Sequence, residues 1–316
     1  MNKHLDTNRS LTPSVAIVLI NWNNYADSKL CLNSLKKCIY KNFKVIVVDN
    51  NSQDGSGQIL KEEFGDFAIF LFNKENLGFS GGNNVGIRYA LERGFDYVME
   101  LNNDTEVEPN FLDKLIDSID GRPEYGAVQP LIYYNGSRRN IIWNAGGTLI
   151  DFLGLSLTRK EGRKNPGNLK GEDIDWITGC AFLIKSDVLK KVGLLKEFFF
   201  FGSFEDVDLS VRIKDHGFKL WFEPSSVIYH TAGNSSKTKE KGKEGFLNPQ
   251  VHYLVQRNQI IFIKHHTKLF FIPLALAFQF VKIIGNSAYF IIRRRPKKLK
   301  LAWKGFKDGL LKKYND

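Results

Sequence analysis

The chain has 316 residues, 43% of them hydrophobic, and a formal charge of +11. That length suits one large α/β domain, or one domain with an appendage. The charge is not that of a nucleic-acid groove, which spreads basic residues and aromatics over one surface: ten Lys or Arg crowd into residues 293–316 against two Asp, leaving +3 for the rest, so no nucleic-acid partner is expected.

Residues 1–12 lack the apolar core and small-residue cleavage site of a signal peptide, and 1–13 is expected to form a flexible arm. From Ser14 onward, apolar runs at 15–20, 43–48, 67–72 and 95–101 alternate with helical patterns near 27–38, 56–64, 83–93 and 109–119. This alternation predicts a mainly parallel sheet wrapped by helices. Continuous apolar strands imply cover on both faces. The first helix is opened not by a glycine fingerprint but by Asn21-Trp22-Asn23-Asn24; Asn after a strand serves either ligand contact or turn formation. Cys31 and Cys38, seven apart on a predicted helix, stand about 10 Å apart along its axis, too far for a disulfide. With Cys180 they make an odd count without Cys-x-x-Cys spacing, which fits a reducing cytoplasm.

Beyond Pro130 the pattern loosens. Residues 131–175 are rich in Asn, Gly, Arg and Lys, with short strands expected at 141–143 and 148–150. Regular structure returns at 176–185, in helices near 187–192 and 205–216, and in runs at 219–222 and 227–230. The polar stretch 235–245 reads as a mobile lid or a solvated loop. Residues 269–292 look at first like a membrane span, but Pro273, Gln279, Lys282, Gly285 and Asn286 interrupt them. On a helix, Gln279, Lys282, Asn286 and Arg293 fall within about 60° of one another, opposite Phe280, Ile283, Ile284, Phe290 and Ile291. Followed by Arg293-Arg294-Arg295-Pro296-Lys297-Lys298, the segment predicts an interfacial helix on an anionic membrane surface; its rival is a helix packed on the main domain with a basic solvated tail.

Chemistry concentrates where apolar runs end. Phe198 to Phe204 deliver the adjacent carboxylates Glu205 and Asp206 to a helix on which Asp208 and Arg212 stand one turn apart. Mutual repulsion between neighbouring carboxylates raises a pKa toward a value usable by a general base; the alternative is an acidic first turn that serves only the helix dipole. Asn102-Asn103-Asp104-Thr105 closes the fourth run. Asp104 is a hard oxygen ligand for a divalent ion, or a helix-entry cap. His230 ends the last run, where a lone histidine is ordinarily a packed or hydrogen-bonded residue. Asp49 closes the second as a ligand contact or an Asx-turn.

These segments, with Asp49 to Asp54, Asn76 to Asn83 and Trp176-Ile177-Thr178-Gly179-Cys180, resemble the inverting family-2 glycosyltransferases of the GT-A fold, in their rhamnosyltransferase-like branch. The resemblance covers roughly residues 14–266, leaving 267–316 as a basic C-terminal helical region. It implies a nucleotide-sugar donor, with dTDP-L-rhamnose favoured over a UDP-sugar, and a lipid-linked or polysaccharide acceptor in cell-surface glycan synthesis. It further implies a cytoplasmic location, peripheral on the inner face of the membrane. Asp206 then acts as base beside Glu205; Asp104 and His230 hold Mg2+ or Mn2+. Asn21, Asp49, Asp54, Asn76, Gly78, Gly81, Gly82, Asn83, Asn102 and Asn103 contact the nucleotide sugar, and Trp176, Gly179 and Cys180 form the donor-sugar and acceptor floor. The chain departs from the family's DxD motif in having Asn102 first, which moves that residue toward the ribose or a metal-bound water. A nucleotide-sugar-binding scaffold without turnover is the rival reading.

Overall fold

The computed structural model describes residues 12–200, 203–231, 237–242 and 244–313. Most of the expected flexible arm lies outside them. Strands β1 (Val15–Asn21), β2 (Phe43–Asp49), β3 (Ala68–Phe72) and β4 (Tyr97–Leu101) pair in parallel in the order β3-β2-β1-β4. They alternate with helices α1 (Tyr25–Leu35), α2 (Ser56–Phe64) and α3 (Gly78–Glu92). After β5 (Thr105–Val107) and α4 (Phe111–Ile119), the chain continues through β6 (Tyr125–Tyr134), β7 (Ile142–Asn144), β8 (Gly147–Ile150), β9 (Leu155–Thr158), β10 (Glu172–Ile174) and β11 (Ala181–Lys185). Helices α5 (Ser186–Val192) and α6 (Glu205–Asp215) then lead into β12 (Lys219–His230). Beyond β4 the sheet order is β11-β6-β12-β10, with β11 antiparallel to both of its neighbours and β12 parallel to β6. The β8–β9 pair stands apart as a hairpin.

The unbroken apolar runs have the structural consequence expected of them. Val15, Ile17 and Leu19 join a core with Leu32, Leu60 and Leu115 of α1, α2 and α4. Ala16 and Val18 face the opposite core with Ile87, Val188 and Leu209 of α3, α5 and α6. Strand β6 runs on through Pro130 to Tyr134, so regular structure persists past the predicted break. Likewise β12 is continuous, absorbing Pro224 in a register shift between Glu223 and Val227. Proline lacks the ladder donor and is accommodated at such irregularities.

The stretch read as a polar loop forms strands β13 (Lys237–Gly242) and β14 (Gly245–Leu247), an antiparallel pair; Ser235, Ser236 and Lys243 fall outside the described residues. Three helices follow, α7 (Pro249–His266), α8 (Ile272–Ile292) and α9 (Pro296–Leu311). Helix α9 lies along α7 at close range: a Cβ on Gly305 would collide with the carbonyl of Tyr253.

The predicted orientation of α8 needs correction. Gln279 faces inward and is fully buried, together with Ala275, Ile283 and Phe290. Phe280, Val281, Ile284 and Ile291 point outward instead. Apolar side chains occupy both sides of this helix, so periodicity alone does not say which side packs. Ile260 and Phe306, on α7 and α9, provide the partners that select it.

Candidate active site

Loops at the carboxyl ends of β1, β2 and β4 open into a cavity of about 630 Å³, the expected ligand position for such a sheet. One wall carries Asn102, Asn103 and Asp104; another carries Gly179, Cys180, Ser203, Glu205 and Asp206. Asn76, Gly78 and Asn83 contribute a third side, and His230 lines the end nearest Asp104.

Sheet register brings Asp104 and His230 together. Strand β5 pairs antiparallel with β12 so that Thr105 lies opposite His230, and the Thr231 N–H donates to the Asp104 carbonyl at 2.9 Å. The Asp104 Oδ1 and His230 Nε2 atoms are 3.0 Å apart, and both side chains are buried. Trp143 meets the imidazole edge-on at 4.3 Å between ring centroids, while His230 Nδ1 has no hydrogen-bond partner among the described residues.

The adjacent carboxylates Glu205 and Asp206 are the first two residues of α6 and take different partners. Phe204 precedes the helix at φ +76°, a left-handed conformation unusual for a bulky residue, and its ring packs on Phe262 of α7 at 5.3 Å. Asp206 Oδ2 accepts from the Gly179 N–H at 3.0 Å and Oδ1 from the Val207 N–H at 2.8 Å. Glu205 is buried and accepts from the Ser203 N–H at 2.5 Å. Burial raises the pKa of both carboxyls, and for Glu205 the neighbouring Asp206 adds to the rise.

The nominated nucleotide-binding residues divide. Asn21 and Asp49 lie behind the cavity rather than on its wall. Asn21 Nδ2 donates to Asp49 Oδ1 at 2.8 Å, and Asp49 Oδ2 accepts from the Ser52 N–H at 2.9 Å in the anticipated Asx-turn. Asp54 is exposed and accepts from the Ser56 N–H at the start of α2. Gly81 and Gly82 belong to α3, which begins at Gly78, five residues earlier than the sequence pattern indicates. Gly82 lets the helix approach the sheet: a Cβ there would come within 3.1 Å of Ile20 and 3.2 Å of the Asn50 amide. Trp176 is buried outside this cavity, lining an adjoining cleft with Asp206. Cys180 is a buried free thiol whose pKa burial pushes well up, in keeping with a filler on the wall.

Several residues escape the sequence reading. Asn50 organises the loop before α3, donating to Asn76 Oδ1 and the Gly78 carbonyl at 2.9 Å and accepting from the Leu77 N–H at 3.0 Å; its place in an Asn-rich run was the available signal. Tyr134, Arg138 and Trp143 line the cavity with no motif to mark them, and Trp22 lines it from within the Asn-rich segment that opens the first helix. Glu100 is buried in β4 with neither carboxyl oxygen hydrogen-bonded among the described residues, and burial, then the charges of Glu205 and Asp206, hold its pKa well above the usual range.

Residues 16–193, more than half of the chain, match the family model "Glycosyl transferase family 2". The chain belongs to glycosyl transferase family 2. This glycosyltransferase is 28% identical over 211 residues to the low-salt glycan biosynthesis hexosyltransferase Agl10 of Haloferax volcanii, a match covering 65% of this chain and 63% of that protein. It is 24% identical over 247 residues to the N-acetylglucosaminyl-diphospho-decaprenol L-rhamnosyltransferase of Mycobacterium tuberculosis, covering 72% of this chain and 78% of the relative. Among solved structures, the mannosyltransferase PcManGT of Pyrobaculum calidifontis, in complex with GDP-Man and Mn2+, superposes with a TM-score of 0.56 at 13% identity, covering 96% of this chain and 88% of that one. The glycosyltransferase thus has the GT-A fold. Its Glu205–Asp206 pair lies beyond the stretch matched by the family model.

Proposed function

We propose that the protein is an inverting transferase in which Asp206 accepts the proton of an acceptor hydroxyl as that oxygen displaces a nucleoside diphosphate from the sugar. The observation that carries this reading is the placement of Asp206: it lines the cavity while two backbone N–H groups fix both of its oxygens. Such anchoring holds a base in one orientation. Glu205, buried beside it, favours a single negative charge on the pair through mutual repulsion.

A hard oxygen and an imidazole nitrogen make a donor set suited to Mg2+ or Mn2+, and Asp104 with His230 would hold such an ion. No group of three or more His, Cys, Asp or Glu able to hold a metal occurs among the described residues, so the remaining ligands would come from the donor diphosphate, amide oxygens and water. When bound, the ion offsets charge on the leaving diphosphate. Asn102 and Asn103, on the same wall, are placed to meet the ribose or diphosphate, and Asn76, Gly78 and Asn83 the rest of the donor.

For the donor we favour dTDP-L-rhamnose, and for the acceptor a lipid-linked glycan; the mycobacterial relative's name supports the rhamnosyl group and the lipid-linked acceptor, while the dTDP carrier rests on the sequence resemblance to the rhamnosyltransferase-like branch. Residues 14–266 then form the transferase unit and 267–316 an appendage on the cytoplasmic face of a membrane. The helical segment Leu269–Ile292 is long and apolar enough to span a bilayer. Lying in the plane is the better reading, because Ala275, Gln279, Ile283 and Phe290 keep one side of α8 against the protein while apolar residues occupy the other.

The test is a screen of the purified protein against nucleotide sugars with lipid-linked acceptors, following released nucleoside diphosphate and product anomeric configuration. Donor binding without turnover across the panel would favour a scaffold; a retained anomeric configuration would remove direct displacement.

A further inference from the structure

Arg138 is the only Lys or Arg among the described residues lining the cavity, whose carboxylate and imidazole walls are Asp104, Glu205, Asp206 and His230. Its neighbour in sequence is committed elsewhere: Arg139 pairs with Glu106 at 2.6 Å and donates to Asn135 Oδ1 at 2.9 Å. Arg138 has no carboxylate partner among the described residues. Its exposed guanidinium instead lies over Tyr134, 3.9 Å from the ring centroid.

The backbone fixes this arginine relative to the Asp104–His230 pair. Tyr134 is the register partner of His230 across β6 and β12, and the Asn135 N–H donates to the His230 carbonyl at 2.9 Å. Asn135 Oδ1 also accepts from the Gly136 N–H at 2.8 Å, capping the short 3-10 turn Gly136–Arg138. A cation is therefore held on an aromatic platform beside a cavity rich in carboxylates and left without an acidic partner of its own. A planar, permanently charged fork of donors matches phosphate oxygens, and stacking on Tyr134 limits the freedom lost when it engages.

We propose that Arg138 binds a phosphoryl group entering this cavity, either the diphosphate of the donor or a phosphate carried by the acceptor. The inference rests on the proposed transfer from a nucleoside-diphosphate sugar. It adds a protein cation to the charge compensation that Asp104 and His230 would supply through a metal.

The experiment compares the full chain with Arg138→Gln and Arg138→Lys. Calorimetry would measure binding of UDP, GDP, dTDP and the corresponding nucleosides, and steady-state assays would measure KM for the acceptor. If the donor is the source, Arg138→Gln weakens nucleoside-diphosphate binding by about tenfold or more, the cost of losing a charge-assisted bidentate contact. Nucleoside affinity stays unchanged, which also shows that the variant is folded, and Arg138→Lys falls between. If the acceptor is the source, diphosphate binding is unaltered and acceptor KM rises by a similar factor. Unchanged values in both arms for Arg138→Gln overturn the proposal while leaving the transferase reading intact. A wild-type chain that binds no nucleoside diphosphate overturns both.

Discussion

The imidazole of His266 stands 2.7 Å from Asp208 Oδ1, joining the last turn of α7 to the first turn of α6. The other oxygen of Asp208 accepts from Arg212 Nε at 2.9 Å, and Arg212 Nη1 donates onward to the Val192 carbonyl at 2.7 Å. The i,i+4 pair foreseen in the sequence is thus the middle of a largely buried four-residue chain, His266–Asp208–Arg212–Val192. Its geometry fixes the helix whose first turn presents Glu205 and Asp206. Asp208→Ala leaves a largely buried guanidinium uncompensated and should cost about 3–5 kcal/mol of stability. Chemical denaturation would measure it. A loss below about 1 kcal/mol would mean that Arg212 finds other partners and the chain is not a clamp.

Asp206→Asn should abolish transfer while leaving donor affinity nearly intact, a loss of about 10² to 10⁴ in rate being usual for a missing general base. Burial raises the pKa of this carboxyl, and the base works ionised. The wild-type kcat/KM should therefore rise with pH along an acid limb displaced above the ordinary carboxylate range. A variant retaining more than a third of wild-type turnover at saturating substrates would exclude Asp206 from the role.

Chelation tests the Asp104–His230 pair. EDTA should stop catalysis, and Mg2+ or Mn2+ should restore it. Asp104→Ala should raise the metal concentration needed by more than Asn102→Ala does, because a charged oxygen is the stronger ligand for a hard cation. Full turnover after thorough chelation would assign the leaving group's charge compensation to protein cations alone.

Glu100 makes a pH-dependent prediction about folding. Its folded-state pKa lies well above the ordinary 4.5, so the native protein retains a proton that the unfolded chain releases. Its contribution therefore turns against folding as pH rises from about 4.5 toward the folded value. Glu100→Leu removes a buried carboxyl without hydrogen-bond partners among the described residues and should stabilise the protein by about 1–3 kcal/mol at pH 8, with the gain shrinking toward pH 4.5. Parallel stability curves for the two proteins would show that Glu100 is paired or solvated in solution.

Asp104 and His230 are visible in the sequence because an apolar run gives out at each. Their proximity is not, because it depends on β5 pairing with the far end of β12. Asp49 reads equally well as ligand contact or turn, and only the donors from Asn21 and Ser52 show how its oxygens are used. Glu100 hides for the opposite reason: one charge inside an apolar run looks like a solvent-facing position until a second layer covers it. Arg138 belongs to no motif and reaches the cavity through the end of β6. Local pattern specifies elements and their ends, whereas the site depends on pairings between distant segments.

The same limit governs the C-terminal helices, where the structure changes which residues a membrane test should alter. Ile284, Ile291 and Ile292 are exposed on α8, and Arg293, Arg294, Lys297 and Lys300 follow on the surface. Lys298 is buried at 2% exposure and should be left intact. If this side meets an anionic bilayer, each basic residue near the surface contributes roughly 1 kcal/mol, and binding to vesicles containing phosphatidylserine should fall with added salt. Neutralising the four cations together should release most of the protein from such vesicles without lowering its melting temperature, since none of the four is buried. Ile284→Ser with Ile291→Ser should weaken the salt-resistant remainder, which apolar insertion supplies. Vesicle binding unchanged in both folded variants would leave the outer face of α8 without a role at the membrane.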